Sequence, residues 1–160
     1  MKKILIIVTL VIGIAASSGL TAQDYHTGLG IRGGFSNGIS LKHFYTTNIA
    51  VEGILSTRWH GFKITGLAEW HIPVFDTQGL NFYYGGGAHL GIWDSEADYH
   101  GDKIAGNNLF LGVDGVIGLE YAFPGIPLSI GLDWKPGFEI ISDFGFAHDE
   151  IALSVRYLFR

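Results

Sequence analysis

The sequence predicts an all-β chain: an eight-stranded antiparallel up-and-down transmembrane β-barrel, preceded by a cleaved signal peptide. Three observations carry this expectation. Apolar side chains alternate with small or charged ones over long runs, the period-two signature of strands. The alternation recurs in eight segments parted by short turn sequences. The chain also opens with a secretory leader.

The leader has three parts. Met1-Lys2-Lys3 is basic, Ile4 to Ala16 is apolar, and Ser17 to Gln23 is small and polar. The apolar part is shorter than the roughly 20 residues a helical span needs. Cleavage is expected near Ala22 or Gln23, leaving residues 1–22 as signal peptide and 23–160 as the barrel. The chain has no cysteine. That excludes a lipid anchor on a processed cysteine, disulfide frameworks and thiolate metal sites. Without Lys2 and Lys3, eight Lys and Arg remain against fifteen Asp and Glu, so 8 − 15 gives a formal charge of −7. Such an acidic chain offers no basic surface for nucleic acid.

The clearest strand pair is the hairpin from Leu109 to Lys135. Leu109, Leu111, Val113, Ile117, Leu119 and Tyr121 share one face, with Asp114 and Glu120 opposite. Phe123-Pro124-Gly125-Ile126-Pro127 turns the chain, and Leu128, Ile130, Leu132 and Trp134 then alternate with Ser129, Gly131, Asp133 and Lys135. Before this pair come five segments: His26–Phe35, Ile39–Tyr45, Ile49–Trp59, Phe62–Val74 and Leu80–Trp93. Ser36-Asn37-Gly38, Thr46-Thr47-Asn48, His60-Gly61 and Phe75–Gly79 connect them. After the pair, Glu150–Phe159 is the eighth. Asp94–Asn107 reads as the one long, acidic connection, and Phe138–His148 as a loop whose start extends strand seven. An even count of eight closes into a small barrel without edges. Glycine recurs inside the strands, as in Gly28, Gly30, Gly85, Gly86, Gly87 and Gly112, which suits a narrow barrel that must fit large side chains inside.

The polar face collects Arg32, Lys42, Arg58, Lys63, Lys135 and Arg156 against Glu52, Glu69, Asp114, Glu120, Asp133 and Glu139. Buried charges must be paired. The expectation is a salt-bridged, side-chain-filled lumen, because an eight-stranded interior is just wide enough for side chains. A soluble sandwich would place the same charges in water. The leader favours the membrane reading. So do the aromatic residues near strand ends: Trp59, Trp70, Tyr84, Trp93, Tyr121, Trp134, Tyr157 and Phe159.

The last strand, Ile151-x-Leu153-x-Val155-x-Tyr157-x-Phe159, resembles the C-terminal assembly signal of outer-membrane β-barrel proteins. Tyr157 and Phe159 carry that resemblance; the signal usually ends on the aromatic, and here Arg160 follows. The stretch Phe123 to Pro136 is similar to a turn-and-strand of small Bacteroidetes-type barrels. Over its mature length the chain resembles the small OmpA/OmpX-like outer-membrane barrels. The resemblance implies a monomer in the bacterial outer membrane, in contact with lipid and lipopolysaccharide and inserted by the barrel-assembly machinery. It carries no activity.

No catalytic residue, metal or cofactor is assigned. His60, His100 and His148, with Asp94, Glu96, Asp98, Asp102, Asp143, Asp149 and Glu150, lie in or near outer loops without tight ligand spacing. His71 and His89 point inward as members of the polar network. The expected role is structural, adhesive or envelope-stabilising. Its rivals are a narrow pore for small solutes, a lipid A-modifying enzyme using Ser95 with His100 or His148 at the rim, and a soluble periplasmic ligand-binding barrel.

Overall fold

Ten strands wrap into one closed antiparallel barrel in a computed structural model that describes residues 25–58, 61–74, 77–99, 102–141, 145–147 and 150–159, and side chains for these except 58, 93–108, 141 and 145–147. The strands are β1 (Thr27–Gly34), β2 (Asn37–Phe44), β3 (Ile49–Arg58), β4 (Gly61–Pro73), β5 (Leu80–Tyr99), β6 (Asp102–Ala122), β7 (Leu128–Trp134), β8 (Gly137–Ile141), β9 (Gly145–Ala147) and β10 (Ile151–Phe159). Among the described residues there is no helix. The leader lies outside the described residues.

Each strand from β1 to β7 pairs with its neighbour in sequence, and β10 closes the ring on β1 from Thr27↔Phe159 to Gly34↔Ala152. The barrel therefore has eight staves. β8 continues the stave of β7, and β9 forms a short hairpin with β8. Pro136 makes the break between β7 and β8, because it has no N–H to give the ladder. Its carbonyl still accepts from the Gly115 amide at 2.8 Å. Closure gives the backbone groups along the staves a partner.

Three differences from the expected boundaries have physical reasons. Asn37 and Gly38 already pair with Thr57 and Ser56, so the first turn is Phe35-Ser36. Asp94–Asn107 is not a loop: β5 and β6 stay paired out to Tyr99↔Asp102. Beyond Trp93, the last β5 residue paired with β4, that ribbon runs on for about 20 Å. Part of Phe138–His148 is likewise stranded, as β8 and β9. The turn opposite keeps its expected place: Gly125 takes a φ of 91° and the Phe123 amide donates to the Leu128 carbonyl at 2.9 Å. The His60 turn lies outside the described residues.

The strands separate their side chains cleanly. On β10, Ile151, Leu153 and Val155 are exposed, while Ala152, Ser154, Arg156 and Leu158 are buried. On β2, Ile39 and Leu41 are exposed and Ser40 and Lys42 buried. The outer wall is thus apolar and the interior largely polar. The exposed aromatic side chains Trp70, Tyr84 and Phe159 stand near the β2–β3, β4–β5 and β6–β7 turns, and Trp70 stacks on Tyr84 with centroids 6.1 Å apart.

Inward glycines make the interior fit. A Cβ on Gly118 would stand 2.6 Å from the Tyr83 ring, and one on Gly91 2.1 Å from the Phe110 ring. Outward glycines serve no such purpose: a Cβ on Gly53 or Gly66 meets nothing within 4 Å.

Candidate functional site: the charged lumen

The deepest cluster lies toward the turn end. Lys42 on β2 reaches Glu69 at 2.7 Å, Glu120 at 3.1 Å and Glu52 at 3.3 Å. Arg156 on β10 donates to Glu52 at 2.5 Å and to the Ser40 hydroxyl at 3.0 Å, with Glu120 at 3.7 Å. Five strands contribute: β2, β3, β4, β6 and β10. Each group sits at an inward parity position, so the barrel register brings together residues up to 116 positions apart. All five charged groups are at most 1% exposed, so water reaches them from neither mouth. The Lys42 ammonium also stands 4.2 Å from the centroid of the Tyr83 ring, a cation–π contact.

Arg32 and Asp133 form a forked pair higher in the barrel, with Arg32 Nη1 donating to Asp133 Oδ2 at 2.6 Å and Nη2 to the other oxygen. The Tyr83 hydroxyl donates to the same Asp133 at 2.9 Å. Two parallel bonds fix the guanidinium plane, which a lysine could not do.

The third cluster lies toward the opposite mouth. Lys135 reaches Glu150 at 2.9 Å and Asp114 at 3.3 Å. Lys63 holds Glu150 at 2.6 Å, and the Ser36 hydroxyl donates to Glu150 at 2.8 Å. His89 Nδ1 stands 2.8 Å from Asp114. Lys63, with 19% of its side chain exposed, is the most open member.

The structure thus places Arg32, Lys42, Glu52, Lys63, Glu69, Asp114, Glu120, Asp133, Lys135 and Arg156 in three ion-paired clusters stacked up the interior. Arg58 has its side chain outside the described residues. Glu139, on β8, is half-buried. His71 and His89 join the network, with His71 Nε2 3.0 Å from Glu69.

Glu150 needs correction. It belongs to the lumen rather than to an outer loop, because it shares the inward parity of Ala152, Ser154 and Arg156. Tyr25 and Tyr83 are members that sequence reading passes over. The Tyr25 hydroxyl donates to Glu120 and the Tyr83 hydroxyl to Asp133. Tyr83 was legible by parity, since it falls between the outward Phe82 and Tyr84. Tyr25 precedes the first strand and gave no such signal.

Chemically, the charges nearly balance: Arg32, Lys42, Lys63, Lys135 and Arg156 face Glu52, Glu69, Asp114, Glu120, Asp133 and Glu150. Removing either member of the buried Arg32–Asp133 pair would leave a buried charge alone, at a cost of about 3–5 kcal/mol. Among the described residues, no three His, Cys, Asp or Glu side chains stand together as a metal site. Ser95, His60, His100 and His148 lie outside the residues whose side chains are described. A scan against protein-family models gives no match, and a search of curated proteins gives none either.

Proposed function

We propose that the chain is a small integral outer-membrane protein of the OmpA/OmpX-like kind, monomeric, with its interior closed by side chains and a structural or adhesive role at the envelope. One observation carries the reading: the polarity of the wall is inverted. On β6 the outward side chains Leu109, Leu111, Val113, Ile117 and Leu119 are all exposed, while Asp114 and Glu120 between them are buried. From Leu109 to Leu119 is about 33 Å along a strand. Tilted by about 40°, that gives an apolar band roughly 25 Å tall, the height of a lipid-facing belt. A protein surrounded by water would not expose so continuous an apolar wall while burying its charges.

The filled interior supports a non-conducting barrel over a narrow pore. The protruding β5–β6 ribbon supports an adhesive role, because residues 94–99 and 102–107 pair with no described strand but each other, and such edges can accept a partner's backbone. The leader supports export, and the last strand supports insertion by the barrel-assembly machinery.

The test is expression with the full leader, followed by envelope fractionation and electrophoresis with and without boiling. The reading expects outer-membrane recovery and a heat-dependent change in migration. Planar bilayers should show no steady channels. Recovery as a soluble periplasmic protein would overturn the membrane reading, and steady channels would overturn the closed lumen.

A further inference from the structure

The ion-paired clusters stop short of the turn end, and what replaces them there is a cup. Its volume is about 890 Å³, within the range of small-molecule sites. It opens beside the β2–β3, β4–β5 and β6–β7 turns, on the side where the described chain begins at Tyr25. Its wall is the last ring of inward side chains: Phe44, His71, Asn81, Ala122 and Leu158, with Tyr25 across the floor. One step deeper on the same strands the residues are Lys42, Glu69, Glu120 and Arg156. No Asp, Glu, Lys or Arg is among the described residues that line the cup.

Sealing the barrel does not require this cup, since the ion-paired layer beneath already excludes water. The floor is also held in place. Phe44 packs edge-on against Tyr25 at 5.1 Å and against His71 at 4.8 Å, and His71 stacks on Tyr83 at 5.0 Å. The Tyr25 hydroxyl and His71 Nε2 are bound to Glu120 and Glu69 below, which leaves the cup an aromatic surface. Around the mouth stand neutral donors and acceptors: Asn48, Gln78 and Asn81 amides, with the Thr46 hydroxyl already hydrogen-bonded to Asn48 at 3.0 Å.

We propose that the cup binds a neutral N-acetylated saccharide from the turn side of the barrel. The chemistry matches on three counts. A pyranose has an apolar face that packs on aromatic rings. Its hydroxyl and acetamido groups take the donor and acceptor pairs that side-chain amides offer. It brings no charge, whereas a charged ligand would be desolvated in a cup with no described counter-ion. The inference stands on the cup alone and holds in whichever compartment the barrel resides.

The probe is N,N′,N″-triacetylchitotriose, added to the full mature barrel in detergent micelles and followed by saturation-transfer NMR and calorimetry. Spermidine, laurate and maltotriose are the comparators. Chitotriose should bind best. Phe44→Ala and Asn81→Ala should each weaken it by about tenfold, the removal of one aromatic contact or one amide pair. Gln78→Ala lies on an exposed turn and keeps the fold testable should Phe44→Ala fail to form the heat-modifiable barrel; it should weaken binding by about threefold. Absence of chitotriose binding, equal binding by all variants, or tighter binding of spermidine or laurate would each overturn the proposal.

Discussion

The two faces of each strand obey opposite rules. On β10, Val155 is exposed and apolar, and the next residue, Arg156, is fully buried and ionic. On β6, Val113 and Asp114 show the same reversal. In a water-soluble sandwich the burial would be exchanged. The outer face accepts changes that stay apolar, because its side chains meet their surroundings and near neighbours, as Trp70 meets Tyr84, rather than fixed charge partners. The inner face does not, because its charges are held by partners on other strands. Parity, rather than hydrophobicity, therefore decides how much a position matters.

The largest test of that contrast is Arg156→Met. It should cost about 3–5 kcal/mol, since Lys42 is then left as the one cation beside Glu52, Glu69 and Glu120. Urea unfolding in vesicles, followed by tryptophan fluorescence, reads the loss. The matching outer change is Val113→Arg. In a bilayer it should cost about 2–4 kcal/mol, because a cation at mid-height has no partner in lipid. In a chain surrounded by water it would cost little, so the same measurement sharpens the comparison.

A pair of glycines gives the next smaller effect. Gly118→Leu drives a side chain into Tyr83 and Asp133 and should destabilise by about 1–3 kcal/mol. Gly53→Leu points outward into open space and should lie within about 0.5 kcal/mol of the parent. Equal effects at the two sites would break the distinction between the faces. Smallest is Lys63→Ala. Glu150 retains Lys135, and Lys63 is partly solvated, so the loss should be no more than about 1 kcal/mol in the same urea titration.

Much of this was readable beforehand, and the unread part has a pattern. Period-two alternation marks which side chains share a face, so the inward set from Arg32 to Arg156 follows from parity. Which charge meets which does not follow. Arg32 and Asp133 lie 101 positions apart, and their meeting depends on how the ring closes and on the stagger between staves. The β5–β6 extension was illegible for another reason. Asp94–Asn107 shows no apolar–polar alternation in its sequence, the signal from which a strand is read. Glu150 was misplaced because its neighbours His148 and Asp149 read as loop, although its parity with Arg156 pointed inward. The cup escaped notice because its residues are unremarkable singly. Phe44, Asn81 and Leu158 become a set only once closure puts the ends of their strands around one opening.

The central claim is that the apolar wall faces lipid. The chain has no cysteine, so a single introduced thiol takes a spin label at one place. Val113→Cys, Leu132→Cys and Val155→Cys, each labelled and reconstituted in vesicles, should show relaxation enhanced by oxygen, which concentrates in the bilayer, and little by a water-soluble nickel chelate. The reverse ranking at all three positions would place the wall in water and contradict the account.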